Sequence, residues 1–211
     1  MKEIRSKSGL AIVLSKLKGF EKPKVSVEQY SMDSEIGASV LWNALYNGDI
    51  KQKEIVDLGC GTGVLGIGAL LLGAKKVYFV DIDEKVIGIA EENLRKVKSE
   101  CSVAGEAVFL CMDIKNFHEE ADVVIQNPPF GTKQKHIDRI FLKKAVELAP
   151  VIYSFHKSST KIFVESFAKD NNLGITAYFE FSFPLKQTMG FHRREIKRTN
   201  VACWRLEKKN L

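Results

Sequence analysis

Two short stretches of the 211-residue chain carry residue types whose spacing could do chemistry. The first is Asn127-Pro128-Pro129-Phe130, directly after the apolar run Asp122–Gln126. An amino group on a purine ring is a weak nucleophile, because its lone pair is delocalised into the ring. A site that accepts both of its N–H hydrogens, one on the Asn127 side-chain oxygen and one on the Pro128 carbonyl, favours a nitrogen whose lone pair points at an electrophile. Pro128 and Pro129 fix φ and remove backbone donors, so the turn offers carbonyls in a rigid geometry. Phe130 provides a face on which a flipped base can stack. No general base is required, since the alkylated ammonium product is acidic, and catalysis would rest on positioning and charge stabilisation. The plain alternative is an ordinary turn, for which Asn-Pro is a good initiator.

The second stretch is Asp57-Leu58-Gly59-Cys60-Gly61-Thr62-Gly63. Gly59, Gly61 and Gly63 suit a backbone that a ligand crosses closely. Gly61 to Gly66 also satisfies G-x-G-x-x-G, so a dinucleotide oxidoreductase has to be weighed. Those glycines come late relative to the preceding apolar run, and the Asp57 carboxylate would stand near two phosphates, which is unfavourable without a cation. S-adenosylmethionine has no phosphate, and its sulfonium and amino groups suit an acidic loop that includes Cys60. Asp81 ends the next apolar run, 24 residues after Asp57, and can accept hydrogen bonds from both ribose hydroxyls. Ile82 can pack on the adenine. After the third run, Asp113 can accept the adenine amino hydrogen and Ile114 can cover the other face. Capping of helices or turns is the competing role for Asp81, Asp83 and Asp113. Loop, acids and turn together predict transfer of a methyl group from S-adenosylmethionine to an exocyclic amine.

The elements that must position these residues alternate. Short apolar runs at Glu54–Leu58, Lys76–Val80, Ala107–Cys111, Asp122–Gln126 and Val151–Phe155 predict strands, with helices at 64–72, 84–98 and 138–149. A helix over 158–171, capped by Ser158 or Ser159, precedes strands Ile175–Phe183 and Val201–Glu207, which are joined by the polar linker Lys186–Arg198. These last two lack a crossover helix and should pair antiparallel. The result is an α/β, Rossmann-like seven-stranded class I methyltransferase sheet with helices on both faces. One domain is expected over 1–211. Its core spans 51–211, and a helical extension, 1–50, contributes to the cofactor site. That extension holds an amphipathic helix over Gly9–Phe20, ended by Pro23, and another capped by Asp33 or Ser34 and running to Tyr46.

Apolar residues at 45%, charged residues at 27% and only 5 prolines exclude disordered and fibrous classes. No run approaches the ~18 apolar residues of a membrane span, and Met1-Lys2-Glu3-Ile4 is too charged to open a secretory signal, so a cytoplasmic location is expected. Cys60, Cys101, Cys111 and Cys203 form no C-x-x-C pair, and His118, His136, His156 and His192 have no ligand spacing, so no metal site is predicted. Charge is segregated. Residues 185–211 hold eight Lys or Arg against two Glu and residues 1–24 seven against two, while 25–184 hold 17 basic and 22 acidic side chains. Basic ends around an acidic centre suggest a polyanion, with nucleic acid the obvious candidate.

Gln29-Tyr30, the Asp57–Gly61 loop with Gly63-Val64-Leu65, Asp81-Ile82-Asp83, Asn127-Pro128-Pro129-Phe130-Gly131-Thr132-Lys133 and His156-Lys157-Ser158-Ser159 carry a family resemblance across 27–160. The chain resembles the archaeal and eukaryotic ribosomal RNA adenine-N6 methyltransferases that modify small-subunit RNA, within the wider class bearing an N-P-P-F or N-P-P-Y turn. The resemblance implies that Gln29 and Tyr30 close over the methionine part of the cofactor. This chain departs from the family at Ser31-Met32, where a Pro-Thr-like pair is expected. It also implies structured RNA as substrate and, from eukaryotic members, a small zinc-binding activator protein as partner. Guanine N2, DNA adenine and a protein glutamine amide are alternative acceptors, since all present a planar NH₂. A non-catalytic RNA-binding module on the same fold is the alternative from another class.

Within the linker and its flanks, His192, Arg193, Arg194, Lys197 and Arg198 beside Phe191 suit RNA phosphates and unstacked bases, and Lys133 and Lys135 could extend the same surface. Removing the Arg193 and Arg194 charges should lower the slope of log affinity against log salt by about one for each phosphate that is no longer neutralised. An unchanged slope in RNA-binding titrations would remove the loop from the phosphate interface.

Overall fold

The computed structural model describes residues 2–20, 32–129, 137–185 and 197–209, with backbone alone at 183–185 and 197–199. The described strands are β1 (Glu54–Leu58), β2 (Lys76–Asp81), β3 (Glu106–Cys111), β4 (Val123–Gln126), β5 (Val151–Lys157), β6 (Leu173–Leu185) and β7 (Lys197–Lys208). They form one sheet in the order β3-β2-β1-β4-β5-β7-β6. The first five pair in parallel, and β7 runs antiparallel to both β5 and β6, the Rossmann-like arrangement expected. β6 lies at an edge, where Pro184 breaks no inner ladder.

The helices are α1 (Lys7–Leu14), α2 (Ser34–Tyr46), α3 (Val64–Leu71), α4 (Glu84–Glu100), α5 (Ile137–Leu148) and α6 (Lys161–Asp170). Strand alternation divides the core into two layers. Ile55, Phe79, Ile125 and Tyr153 face a layer built with α1, α2, α3 and α4; Val56, Leu58, Val124 and Ile152 face one built with α5 and α6. α3 is apolar all round and buried on every side, sandwiched between sheet and α2. Two absent side chains permit this. A Cβ on Gly66 would come within 2.3 Å of Phe79, and one on Gly68 within 2.3 Å of Leu41.

Several boundaries differ from expectation, and the larger shifts have identifiable causes. α1 stops at Leu14 rather than near Phe20, because after Ser15 the backbone turns to meet α4, where the Lys18 N–H donates to Asn93. β5 continues to Lys157, since His156 and Lys157 still pair with Ala202 and Val201. Ser158 and Ser159 therefore begin a 3-10 turn, and neither caps α6, whose N-cap is Thr160. Lys197 and Arg198 belong to β7, paired with Leu185 and Pro184, because the final hairpin extends beyond its apolar centre.

A buried ionic knot ties the turn after α2 to the far strands. Arg205 of β7 donates Nε to Asp49 Oδ2 at 2.8 Å and Nη2 to Oδ1 at 3.2 Å. The Tyr153 hydroxyl donates to the same carboxylate at 2.6 Å and accepts from Asn47 at 3.1 Å. Arg205 Nη1 also donates to Glu207 at the rim and to Thr176, so losing Asp49 strips the Nε and Nη2 partners of the guanidinium and leaves it only Glu207 as counter-charge. Asp49→Ala should destabilise the fold by about 3 kcal/mol, the low end for breaking a buried pair because one counter-charge remains, read as a lower urea midpoint at unchanged slope.

Candidate active site

Ligands of open α/β sheets bind at the carboxyl ends of strands where the order reverses. That point falls between β1 and β4. Asp57 pairs with Ile125, so the glycine loop and the Asn127 turn leave the sheet at the same level, one strand apart. Gly59, Gly61 and Gly63 all take positive φ, at 71°, 54° and 82°. The loop is packed as well as strained for other residues: a Cβ on Gly59 would meet Phe141 at 2.7 Å. The Gly59 and Cys60 N–H groups donate to the Val80 carbonyl, which moors the loop to β2.

Asp81 closes this cradle. Its Oδ2 accepts from the Gly61 N–H and its Oδ1 from the Asp83 N–H, both at 3.0 Å. Each carboxylate oxygen retains a lone pair for a hydroxyl. Burial raises its pKa above the ordinary carboxyl value, and the N–H groups of Asp83 and Gly61 hold that rise back. Ile82 beside it is 70% exposed, an apolar surface open to a base. Asp113 caps a 3-10 turn, Ile114–Asn116, by accepting from the Lys115 N–H at 2.9 Å, while Ile114 is buried in the layer under α5. Asp83 likewise caps α4.

Asp57 sits deeper than a ligand-facing loop residue. Only 1% exposed, it accepts the Gly66 N–H at 2.8 Å. Gly66 is thus a packing residue against Phe79 and Asp57, and the G-x-G-x-x-G spacing marks helix packing rather than a phosphate cradle. Burial chiefly, with the like charge of Asp81, pushes the Asp57 carboxyl up to about 7 against the Gly66 hydrogen bond.

At the end of β4, Asn127 and Pro129 are half-buried and Pro128 is buried. Behind them lies a polar chain that residue types and spacing do not announce. Gln126 donates Nε2 to Ser154 Oγ at 2.9 Å, and that hydroxyl lies 2.7 Å from His156 Nε2. All three are buried. Desolvation pulls the His156 pKa down to about 3, so the imidazole is neutral at ordinary pH. Gln29, Tyr30, Phe130, Lys133, Lys135, His192, Arg193 and Arg194 lie outside the described residues, as do the side chains of Lys197 and Arg198.

Asp57 and His156 give opposite pH slopes. Between its ordinary value of 3.8 and about 7, folded Asp57 holds a proton that the unfolded chain has released, so its stabilisation is lost as pH rises through that window. His156 is neutral when folded but takes a proton below 6.5 when unfolded, so its contribution is present above 6.5 and lost as pH falls towards 3. In urea unfolding across this range, Asp57→Asn should remove the decline on raising pH. His156→Gln should remove the decline on acidification.

Residues 29–151 match the methyltransferase small domain family. The zebrafish (Danio rerio) rRNA N(6)-adenosine-methyltransferase METTL5 is 34% identical over 86% of this chain and 89% of its own. The Methanocaldococcus jannaschii protein MJ0284 is 37% identical over 96% and 94%. The crystal structure of PH1948 from Pyrococcus horikoshii superposes with a TM-score of 0.86 at 39% identity, covering 96% of this chain and 98% of that one. The family match over more than half of its length shows that the chain belongs to the methyltransferase small domain family, and it uses S-adenosylmethionine as its methyl donor.

Proposed function

We propose that the protein methylates the N6 amino group of adenine in structured ribosomal RNA of the small subunit. The observation that carries this reading is the placement of Asn127 and Pro128 at the end of β4, level with the glycine loop of β1. The identity to METTL5 proteins from zebrafish, Drosophila and Caenorhabditis supports the acceptor. Gly59, Cys60, Gly61, Gly63, Asp81, Ile82 and Asp113 form the cofactor side, joined by Gln29 and Tyr30, with Asp57 and Ile114 supporting it from beneath.

When bound, S-adenosylmethionine supplies an electrophilic methyl on a sulfonium. The chain's own task is to present the amine. The Asn127 side-chain oxygen and the Pro128 carbonyl accept its two hydrogens and turn its lone pair outward, and Phe130 stacks on the flipped base. The N6 nitrogen would take the methyl as the carbon–sulfur bond breaks and S-adenosylhomocysteine leaves, and the methylated nitrogen would then release one proton to water. Lys133, Lys135 and the basic residues of 192–198 hold the RNA backbone. A small zinc-binding activator belongs to the same reading as a partner that adds to the RNA or folding surface.

Purified protein incubated with labelled S-adenosylmethionine and undermethylated small-subunit RNA should give N6-methyladenosine by nucleoside mass spectrometry. Asn127→Ala should lower turnover by ~10²–10³, as removal of one charge-stabilising hydrogen bond does in other enzymes. Label in N2-methylguanosine would reassign the acceptor, and near wild-type turnover in the mutant would remove Asn127 from its role.

A further inference from the structure

Asn93 lies in the middle of α4, on the face turned towards α1 and the glycine loop, and is 2% exposed. Its amide is fully used. Oδ1 accepts the Lys18 N–H at 2.8 Å, one Nδ2 hydrogen goes to the Lys18 carbonyl at 3.0 Å, and Nδ2 also donates to the Thr62 carbonyl at 3.0 Å. The side chain therefore treats Lys18 as a neighbouring strand would, gripping its N–H and C=O together. Its remaining hydrogen holds the centre of the Gly61-Thr62-Gly63 loop. An aspartate would lose both donations and place a carboxylate against two carbonyls, and a glutamine would be a methylene too long for both contacts.

Two residues beyond this grip stands Phe20, half-buried. Its ring lies against Gly61: a Cβ there would approach Phe20 Cζ to 3.2 Å. On its other side Gly61 is held by the Asp81 carboxylate. Neighbouring side chains of α4 reach the same segment from the solvent side. Lys96 donates to the Lys16 carbonyl at 3.3 Å, and Glu92 pairs with Lys18 at 3.3 Å on an exposed surface. Asn93 differs from them in being buried and in joining the segment to the loop through a single side chain.

We propose that Asn93 is a positioning residue for the cofactor: it fixes the segment after α1 to the glycine loop, so that Phe20 is held over Gly61 where the nucleoside cofactor crosses the backbone. The inference rests on the loop being the S-adenosylmethionine cradle. It makes the N-terminal helix part of the cofactor site through one amide, and it sets cofactor affinity rather than the chemical step.

The test is a double-mutant cycle read by calorimetric titration with S-adenosylhomocysteine, with far-UV circular dichroism to confirm folding. Asn93→Asp and Phe20→Ala should each weaken binding by about tenfold. Because both act through one segment, the double variant should bind no more than about twofold more weakly than the weaker single variant. Turnover at saturating S-adenosylmethionine should stay within about threefold of wild type, so the loss appears in KM and not in kcat. Wild-type affinity in folded Asn93→Asp, or losses that multiply in the double variant, would overturn the proposal. If Asn93→Asp does not fold, wild-type affinity in Phe20→Ala overturns it alone. A wild-type protein that fails to bind S-adenosylhomocysteine would instead sink the reading of the loop itself, and this inference with it.

Discussion

Everything at the site depends on two parallel strands ending side by side while their chains depart in different directions. β1 and β4 are neighbours, yet β1 leads through α3 to one half of the sheet and β4 leads through α5 to the other. The gap left by that divergence cannot be filled by either connection. One of its walls must be nearly bare backbone, which explains three positive-φ glycines in five residues. The other must stand rigid without hydrogen-bonding to its neighbour, and consecutive prolines do that. Both sequence motifs are thus answers to one topological condition.

Most of the fold was legible because strand and helix periods are local. β1 matches its expected bounds residue for residue, and the other parallel strands are displaced by at most two. The misplacements fall where a distant partner overrides local pattern. α1 ends early because Asn93, 75 positions away, captures Lys18. β5 runs long because β7 continues beside it. The site was legible in the same partial way. Glycine, proline and strand-end acids announce themselves by type and spacing, and Asp81 stands at the end of β2 with its backbone partners. Gln126, Ser154 and His156 did not, since alternating polar residues on a strand read as a solvated face. Here that face is covered by α5 and α6, and Gln126 Nε2, the Ser154 hydroxyl and His156 Nε2 bond in series across two strands, leaving Gln126 Oε1 without a protein partner among the described residues.

Asp57 shows how a residue can be found by its motif and still be assigned to the wrong neighbour. Its position in the loop suggests a partner in the ligand, whereas its carboxylate points at the start of α3. A negative group beside the N-terminal turn of a helix is favoured by the helix dipole, yet burial works against its charge. The balance leaves a carboxyl raised to about 7, chiefly by burial. Its charge state is therefore sensitive to whatever cation occupies the cradle above it.

The strand order at the far side of the sheet has a bearing on how the chain acquires its shape. β7 follows β6 in sequence but lies inside it, between β5 and β6. During synthesis β5 emerges with its outer backbone groups unpaired, and nothing made before β7 can cover them. β6 and β7 form a local hairpin and can assemble within microseconds once both exist, then dock as a unit on β5. Until that moment the nascent chain carries an open sheet edge next to buried apolar layers, the kind of surface that recruits chaperones or pairs with a second chain. A truncation before β7 would therefore do more than remove a strand. It would leave the β5 edge open on the truncated product.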